Sequence, residues 1–159
     1  ILFQEVGMSC DAKKISEKYE DFLGEGHYFI PGAKELLEDL SKKYHLYLAS
    51  NGVVKVQMSR IKSAGIEKYL EKIFLSEQIG YEKPSPQFFE KCFAQIPDFK
   101  KEEALILGDS LTSDIRGGKN AGILTVWFHP SGKKVEEEIV PDYEIGKLEE
   151  LKTILSFYS

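Results

Sequence analysis

Ala104-Leu105-Ile106-Leu107-Gly108-Asp109-Ser110-Leu111-Thr112-Ser113-Asp114 decides how this chain is read. The short apolar run closed by Gly108 reads as a buried strand rather than a helix. Asp109 then emerges at the strand tip, where a carboxylate is poorly placed unless it has a partner. Asp114 falls on the next helical turn and can face back towards it. A continuous apolar strand running into an amphipathic helix is the repeating unit of a parallel sheet covered on both faces.

The same alternation extends in both directions. Towards the C-terminus, a helix is expected from about Thr112 to Ala121. Leu124-Thr125-Val126-Trp127-Phe128 is the next strand and Tyr143-Glu144-Ile145 an edge strand, before a last helix marked by Leu148, Leu151, Ile154 and Leu155. Towards the N-terminus, Ser85 reads as the cap of a helix with Pro86 at its first position. Its apolar face is Phe88, Phe89, Cys92, Phe93 and Ile96. Before it lie a strand at Ile73-Phe74-Leu75, a helix lined by Val54, Met58, Ile61 and Gly65, and a strand from Leu46 to Ser50. Ala33, Leu36, Leu37, Leu40 and Tyr44 form one face of a further helix. Glu17 to Leu23 has helical spacing and Gly24-Glu25-Gly26 ends it. Residues 1–27 therefore read as a tail or the remnant of a helical cap, and 28–159 as the α/β core.

The 159 residues suffice for one domain with a sizeable core, and 42% hydrophobic with 30% charged residues is ordinary for a globular chain. A net charge of -5 disfavours a broad nucleic-acid footprint. There is no apolar run of about 18 residues, hence no expected membrane span, and Ile1 to Met8 lacks the basic start of a signal peptide. The first residue is not Met, so a processed or truncated product is expected. Cys10 and Cys92 are far apart and read as reduced thiols of a cytoplasmic protein. His27, His45 and His129 show no paired metal-ligand spacing. Gly132 to Lys134 and the acidic Glu136 to Glu138 read as solvated surface.

In an open parallel sheet, ligands bind outside the carboxyl ends of the strands. Three polar signals fall there. Ser50-Asn51-Gly52 directly follows a strand, and a hydroxyl followed by turn N–H groups can hold phosphate oxygens. Taken alone, it reads better as a helix cap and turn. Lys83, in Gly80-Tyr81-Glu82-Lys83-Pro84, can supply a fixed positive charge to a phosphoryl group or restrain a carboxylate. Alone, it reads as a loop lysine. The Asp109 and Asp114 pair suits Mg²⁺, a hard cation that takes oxygen ligands and keeps waters. A turn-forming Asp109 with Ser110 or Thr112 as helix cap is the structural alternative.

The order and spacing of these three signals resemble the haloacid dehalogenase-like (HAD) hydrolase superfamily, from about Pro31 to Leu155. Leu48-Ala49-Ser50-Asn51-Gly52, Glu82-Lys83-Pro84 and Gly108 to Gly122 are similar to the branch of pyrimidine 5′-nucleotidases that accept noncanonical nucleotides. Sialic-acid-9-phosphate phosphatases share the pattern. The resemblance implies a Rossmann-like, doubly wound parallel sheet. It implies that Ser50 and Lys83 are catalytic, with Ser50, Asn51, Gly52 and Lys83 binding the phosphoryl group. Asp109 would bind Mg²⁺ directly and Asp114 would support the metal site. Gly117, Gly118 and Gly122 would allow close helix packing. Ser50, Lys83, Asp109 and Asp114 are expected to converge on one pocket.

One departure stands out. The family opens with an apolar strand ending in Asp-x-Asp, whose first Asp forms an aspartyl-phosphate and whose second is the general acid and base. No Asp-x-Asp occurs in this sequence. The resemblance places the missing strand at the sheet centre, between Leu46–Ser50 and Ala104–Gly108. It implies a Mg²⁺-dependent phosphomonoesterase acting on a small phosphorylated metabolite, with a nucleoside 5′-monophosphate as first choice. The chain alone would be inert, with its own N-terminal fragment as a partner. A sugar phosphatase, a haloacid dehalogenase and a non-catalytic binding fragment are the alternatives. The dehalogenase needs no metal and its pattern lacks the Gly-Asp at the third site. A dinucleotide-binding oxidoreductase would need Gly-x-Gly-x-x-Gly, which is absent.

Overall fold

Among the described residues five short strands carry the fold: Tyr47–Ser50 (β1), Lys72–Leu75 (β2), Leu105–Gly108 (β3), Leu124–Phe128 (β4) and Tyr143–Ile145 (β5). These α-helices among the described residues join and flank them: Ala33–Leu40 (α1), Val54–Ala64 (α2), Ser76–Ile79 (α3), Pro86–Phe93 (α4), Arg116–Ala121 (α5) and Leu151–Leu155 (α6). The structure is a computed structural model and describes residues 13, 14, 18, 19, 28–132 and 138–158. The cap remnant expected over 1–27 lies outside these residues, apart from the helical Lys13, Lys14, Lys18 and Tyr19. Lys133, Lys134, Glu136 and Cys10 also lie outside them.

Every strand pair among the described residues is parallel, as the apolar runs require. Ala49 pairs with Phe74, Gly108 with Trp127 and Phe128 with Ile145. β3 shows why the strands are apolar throughout. Successive side chains point to opposite faces, so Leu105 and Leu107 pack beneath α1 and α6, with Leu36, Val126, Phe128, Ile145, Leu151 and Ile154. Ala104 and Ile106 pack on the other face, with Phe88, Phe89 and Cys92 of α4 and Phe74 of β2. Helices cover both faces, which is the doubly wound α/β architecture. Phe88 is fully buried, and truncating such a side chain to Ala costs about 3–5 kcal/mol.

The strands fall into two hydrogen-bonded groups, β1–β2 and β3–β4–β5, and no ladder joins β1 to β3 among the described residues. Tyr47 and Ala49 of β1 nevertheless pack in the same core as Ala104 and Ile106. The break falls where the family resemblance places its central strand. No helix among the described residues is long and apolar enough to cross a membrane.

Local differences from the sequence reading have identifiable causes. The helix expected over 112–121 divides into a π-helical turn, Leu111–Ile115, and α5. The Ile115 N–H reaches back five residues to the Ser110 carbonyl, and such widened turns gather at functional sites. Tyr44 lies beyond the end of α1 and is exposed. Ser85 stands at the cap position of α4, but its hydroxyl donates to Gln87 Oε1 instead of accepting a helix N–H. Pro86 at the first helical position has no N–H to satisfy in any case.

Candidate functional site

The carboxyl ends of β1 and β3 bring the polar residues together. Ser50 is the last residue of β1, and its hydroxyl has only a distant contact, 3.5 Å to the Asn51 carbonyl. Asn51 turns its side chain onto the main chain of Lys83: its Nδ2 donates to the Lys83 carbonyl at 2.9 Å and its Oδ1 accepts from the Lys83 N–H at 2.9 Å. This reciprocal pair fixes the loop that carries the lysine. The Gly52 N–H donates to Ser76 Oγ at 3.1 Å, so it is already engaged.

Lys83 is almost fully buried. Its Nζ donates to the Ala49 carbonyl at 2.7 Å and to Asp114 Oδ1 at 2.6 Å. Asp114 Oδ2 accepts from the Ser110 N–H at 3.1 Å. Both oxygens of Asp114 are thus committed, and the charge pair is enclosed and hydrogen-bonded, the condition under which burying two charges is tolerable. An ammonium has three protons to donate. Two are used, which leaves one.

Three glycines make this geometry possible. A Cβ at Gly108 would lie 2.3 Å from the Asp114 Cβ, so only glycine lets the carboxylate fold back over the strand end. A Cβ at Gly117 would lie 2.5 Å from the Phe89 ring and one at Gly118 2.5 Å from Ile106, so α5 lies tight on α4 and β3. Gly122, also expected to serve close packing, has an ordinary 3.9 Å approach at its nearest. Its requirement is instead a left-handed φ of 75° at the end of α5.

Asp109 follows Gly108 at the strand tip with its side chain exposed. Its carbonyl accepts from the indole Nε1 of Trp127 at 3.0 Å. Among the described residues, no three His, Cys, Asp or Glu side chains cluster in a way that could hold a metal. A Mg²⁺ ion needs only one or two carboxylates when waters and a substrate phosphate complete its shell. Asp109 fits that part. Asp114, read from sequence as support for the metal site, is hydrogen-bonded to Lys83 and Ser110. A depression of about 420 Å³ lies alongside, lined by Gly52, Val53, Ser76, Glu77, Gly80, Tyr81 and Glu82.

Sequence reasoning did not find Trp127, Ser76 or Glu77 as parts of this region. Glu77 Oε2 accepts from the Val54 N–H at 2.6 Å, capping α2 from a different element. None of the three carries a local motif, because each acts across the sheet or between loops.

A parallel α/β sheet with Ser50, Lys83, Asp109 and Asp114 at or near its carboxyl edge is the arrangement expected of the haloacid dehalogenase-like class. A family model described as haloacid dehalogenase-like hydrolase matches residues 2–128, and the chain belongs to that family. The chain is 43% identical to the HAD-hydrolase YfnB of Bacillus subtilis over 98% of its own length and 66% of YfnB. It is 37% identical to the pyrimidine 5′-nucleotidase PynA of Streptococcus pneumoniae, over 94% of this chain and 64% of PynA. It therefore spans slightly under two thirds of these curated relatives. The crystal structure of magnesium-bound YfnB superposes with a TM-score of 0.88, at 44% identity, covering 97% of this chain and 68% of that one.

Proposed function

We propose that the protein to which this chain belongs hydrolyses a phosphomonoester, with a pyrimidine nucleoside 5′-monophosphate as the substrate class. The observation that carries the reading is the buried Lys83 ammonium, clamped by the Ala49 carbonyl and Asp114 with one proton left to donate. A lysine held this way cannot swing to solvent. It presents fixed positive charge where charge develops on a transferring phosphoryl group. Ser50, at the end of the neighbouring strand, would donate its loosely held hydroxyl proton to a phosphoryl oxygen. Asn51 would act by holding the Lys83 main chain.

Asp109 would be the direct ligand of Mg²⁺, with Asp114 acting through Lys83 and the Ser110 N–H. When bound, the ion would offset negative charge on the phosphoryl oxygens. The family's attacking aspartate has no Asp-x-Asp counterpart in this sequence. In this reading, a segment outside the 159 residues supplies it, and the chain alone does not turn over. The relatives named as pyrimidine 5′-nucleotidases support the substrate class.

The test is phosphate release by the parent protein carrying an Asp-x-Asp strand. Pyrimidine nucleoside monophosphates should be preferred over purine nucleotides and sugar phosphates, and EDTA in excess over metal should stop the reaction. Undiminished turnover in EDTA would sink the cation part. A preference for sugar phosphates would replace the substrate class.

A further inference from the structure

We propose that Trp127 is a positioning residue for the cation site, holding the main chain of Asp109 so that its carboxylate stands where the ion binds. The inference rests on the reading of Asp109 as the cation-binding carboxylate. Nothing in the family match or the site motifs points to Trp127, which on sequence grounds is only one apolar residue of a strand.

The geometry starts with register. Trp127 pairs with Gly108 across β3–β4 and with Glu144 across β4–β5. From opposite Gly108, its indole reaches one residue further, to the Asp109 carbonyl at 3.0 Å. An indole nitrogen can only donate, so the sense of this bond is fixed. The next peptide unit is held as well, because the Ser110 N–H donates to Asp114 at 3.1 Å. Asp109 therefore sits between two main-chain clamps, while its own side chain is exposed. That is the arrangement of a carboxylate held out towards a ligand.

Trp127 is itself braced. It is buried against Leu111 and Ile115 of the π-helical turn. One ring face stacks on His129, with centroids 4.0 Å apart and planes 24° from parallel. Both nitrogens of the His129 ring are engaged, Nδ1 with Glu144 Oε1 at 3.0 Å and Nε2 with the Ser131 hydroxyl at 2.5 Å. A ring tied at both nitrogens cannot rotate, so it fixes the plane of the indole above it. Packing alone would need neither the fixed stacking plane nor the bond to Asp109. Groups that orient a metal ligand in this way are typically worth about 10- to 100-fold in metal affinity.

Trp127 is the single tryptophan of the 159 residues. In the parent protein, its indole N–H is assigned as the cross-peak lost in Trp127→Phe, a change that keeps an aromatic ring and removes the donor. Mg²⁺ alone is titrated while ¹H–¹⁵N spectra are recorded. The expected result is a saturable shift of the Trp127 indole peak at the same midpoint as the Asp109 and Ser110 amides. Trp127→Phe should raise the midpoint at those amides about 10-fold or more, and Asp109→Asn should abolish the response. If the amides respond while the wild-type indole peak stays fixed, Trp127 only packs; this inference fails and the cation reading stands. If Asp109→Asn titrates like wild type, the cation reading fails and takes this inference with it. Should Trp127→Phe not fold, the wild-type comparison of indole and amide midpoints decides alone.

Discussion

The Nζ of Lys83 lies 2.6 Å from Oδ1 of Asp114, in a pair whose side chains keep only 8% and 10% of their surface exposed. Lys83 comes from the loop before α4 and Asp114 from the π-helical turn, 31 positions apart in sequence. Removing one partner of such a pair leaves an uncompensated buried charge. Asp114→Ala and Lys83→Ala in the parent protein should each lower stability by about 3–5 kcal/mol. Urea unfolding at neutral pH reads this directly, and a change under about 1 kcal/mol would show that the pair is open to water.

Gly108 and Asp114 should behave as one unit. A methyl at Gly108 would occupy the space of the Asp114 side chain, 2.3 Å from its Cβ. Gly108→Ala should therefore displace the carboxylate and break the Lys83 pair. In an Asp114→Gly background that Cβ is gone and the cost of the methyl should shrink. A double-mutant cycle should give a coupling of about 1–3 kcal/mol. Strict additivity would mean that the strand end shifts to accept the methyl.

Asp109→Ala should separate function from fold. The side chain is exposed at the strand tip, and the Trp127 bond uses the main-chain carbonyl. Melting temperature should hardly move, whereas Mg²⁺-dependent phosphate release by the parent protein should be lost. A large drop in melting temperature would assign Asp109 a structural part instead.

Asp142 should set an acid limit on stability. Partial burial acts to raise its pKa, but hydrogen bonds from the Lys119 amine and from the Thr125 hydroxyl and N–H outweigh it and hold the group below the usual carboxylate range. A group with a depressed folded pKa stabilises the fold above its unfolded pKa and loses that contribution as pH falls through the folded value. Asp142→Asn should therefore be less stable than wild type at neutral pH, with the gap closing below about pH 4. Urea midpoints across the acid range show it; a gap independent of pH would trace the loss to packing.

The break between β1 and β3 should govern folding. Both strands pack in one core, yet no ladder joins them among the described residues. Every residue of both strands is only half-buried, so their apolar surface is incompletely covered at the break. The 159 residues alone should bind a dye specific for exposed apolar surface and lack a sharp unfolding transition. Adding an apolar strand peptide ending in Asp-x-Asp should restore cooperative unfolding. A sharp transition without the peptide would mean that the strands close on each other.

Sequence by itself determined the class of fold and the location of the polar edge. Continuous apolar strands such as Leu124–Phe128 can be satisfied only by burial on both faces, so the parallel α/β reading needs no coordinates. Strand ends are equally local, which is why Ser50 and Asp109 stand out, and the family resemblance adds Lys83 and Asp114 to them. Tertiary structure alone decided what each of them touches. It turned Asp114 to Lys83 and Ser110, and turned the Asn51 side chain to the Lys83 main chain. It also divided one expected helix at the π-helical turn and brought the Trp127 indole to the Asp109 carbonyl across a strand pair. The reason is the range of the forces. Hydrophobic periodicity is written over neighbouring residues, whereas a hydrogen bond or charge pair depends on ångström distances between segments whose packing the periodicity does not specify.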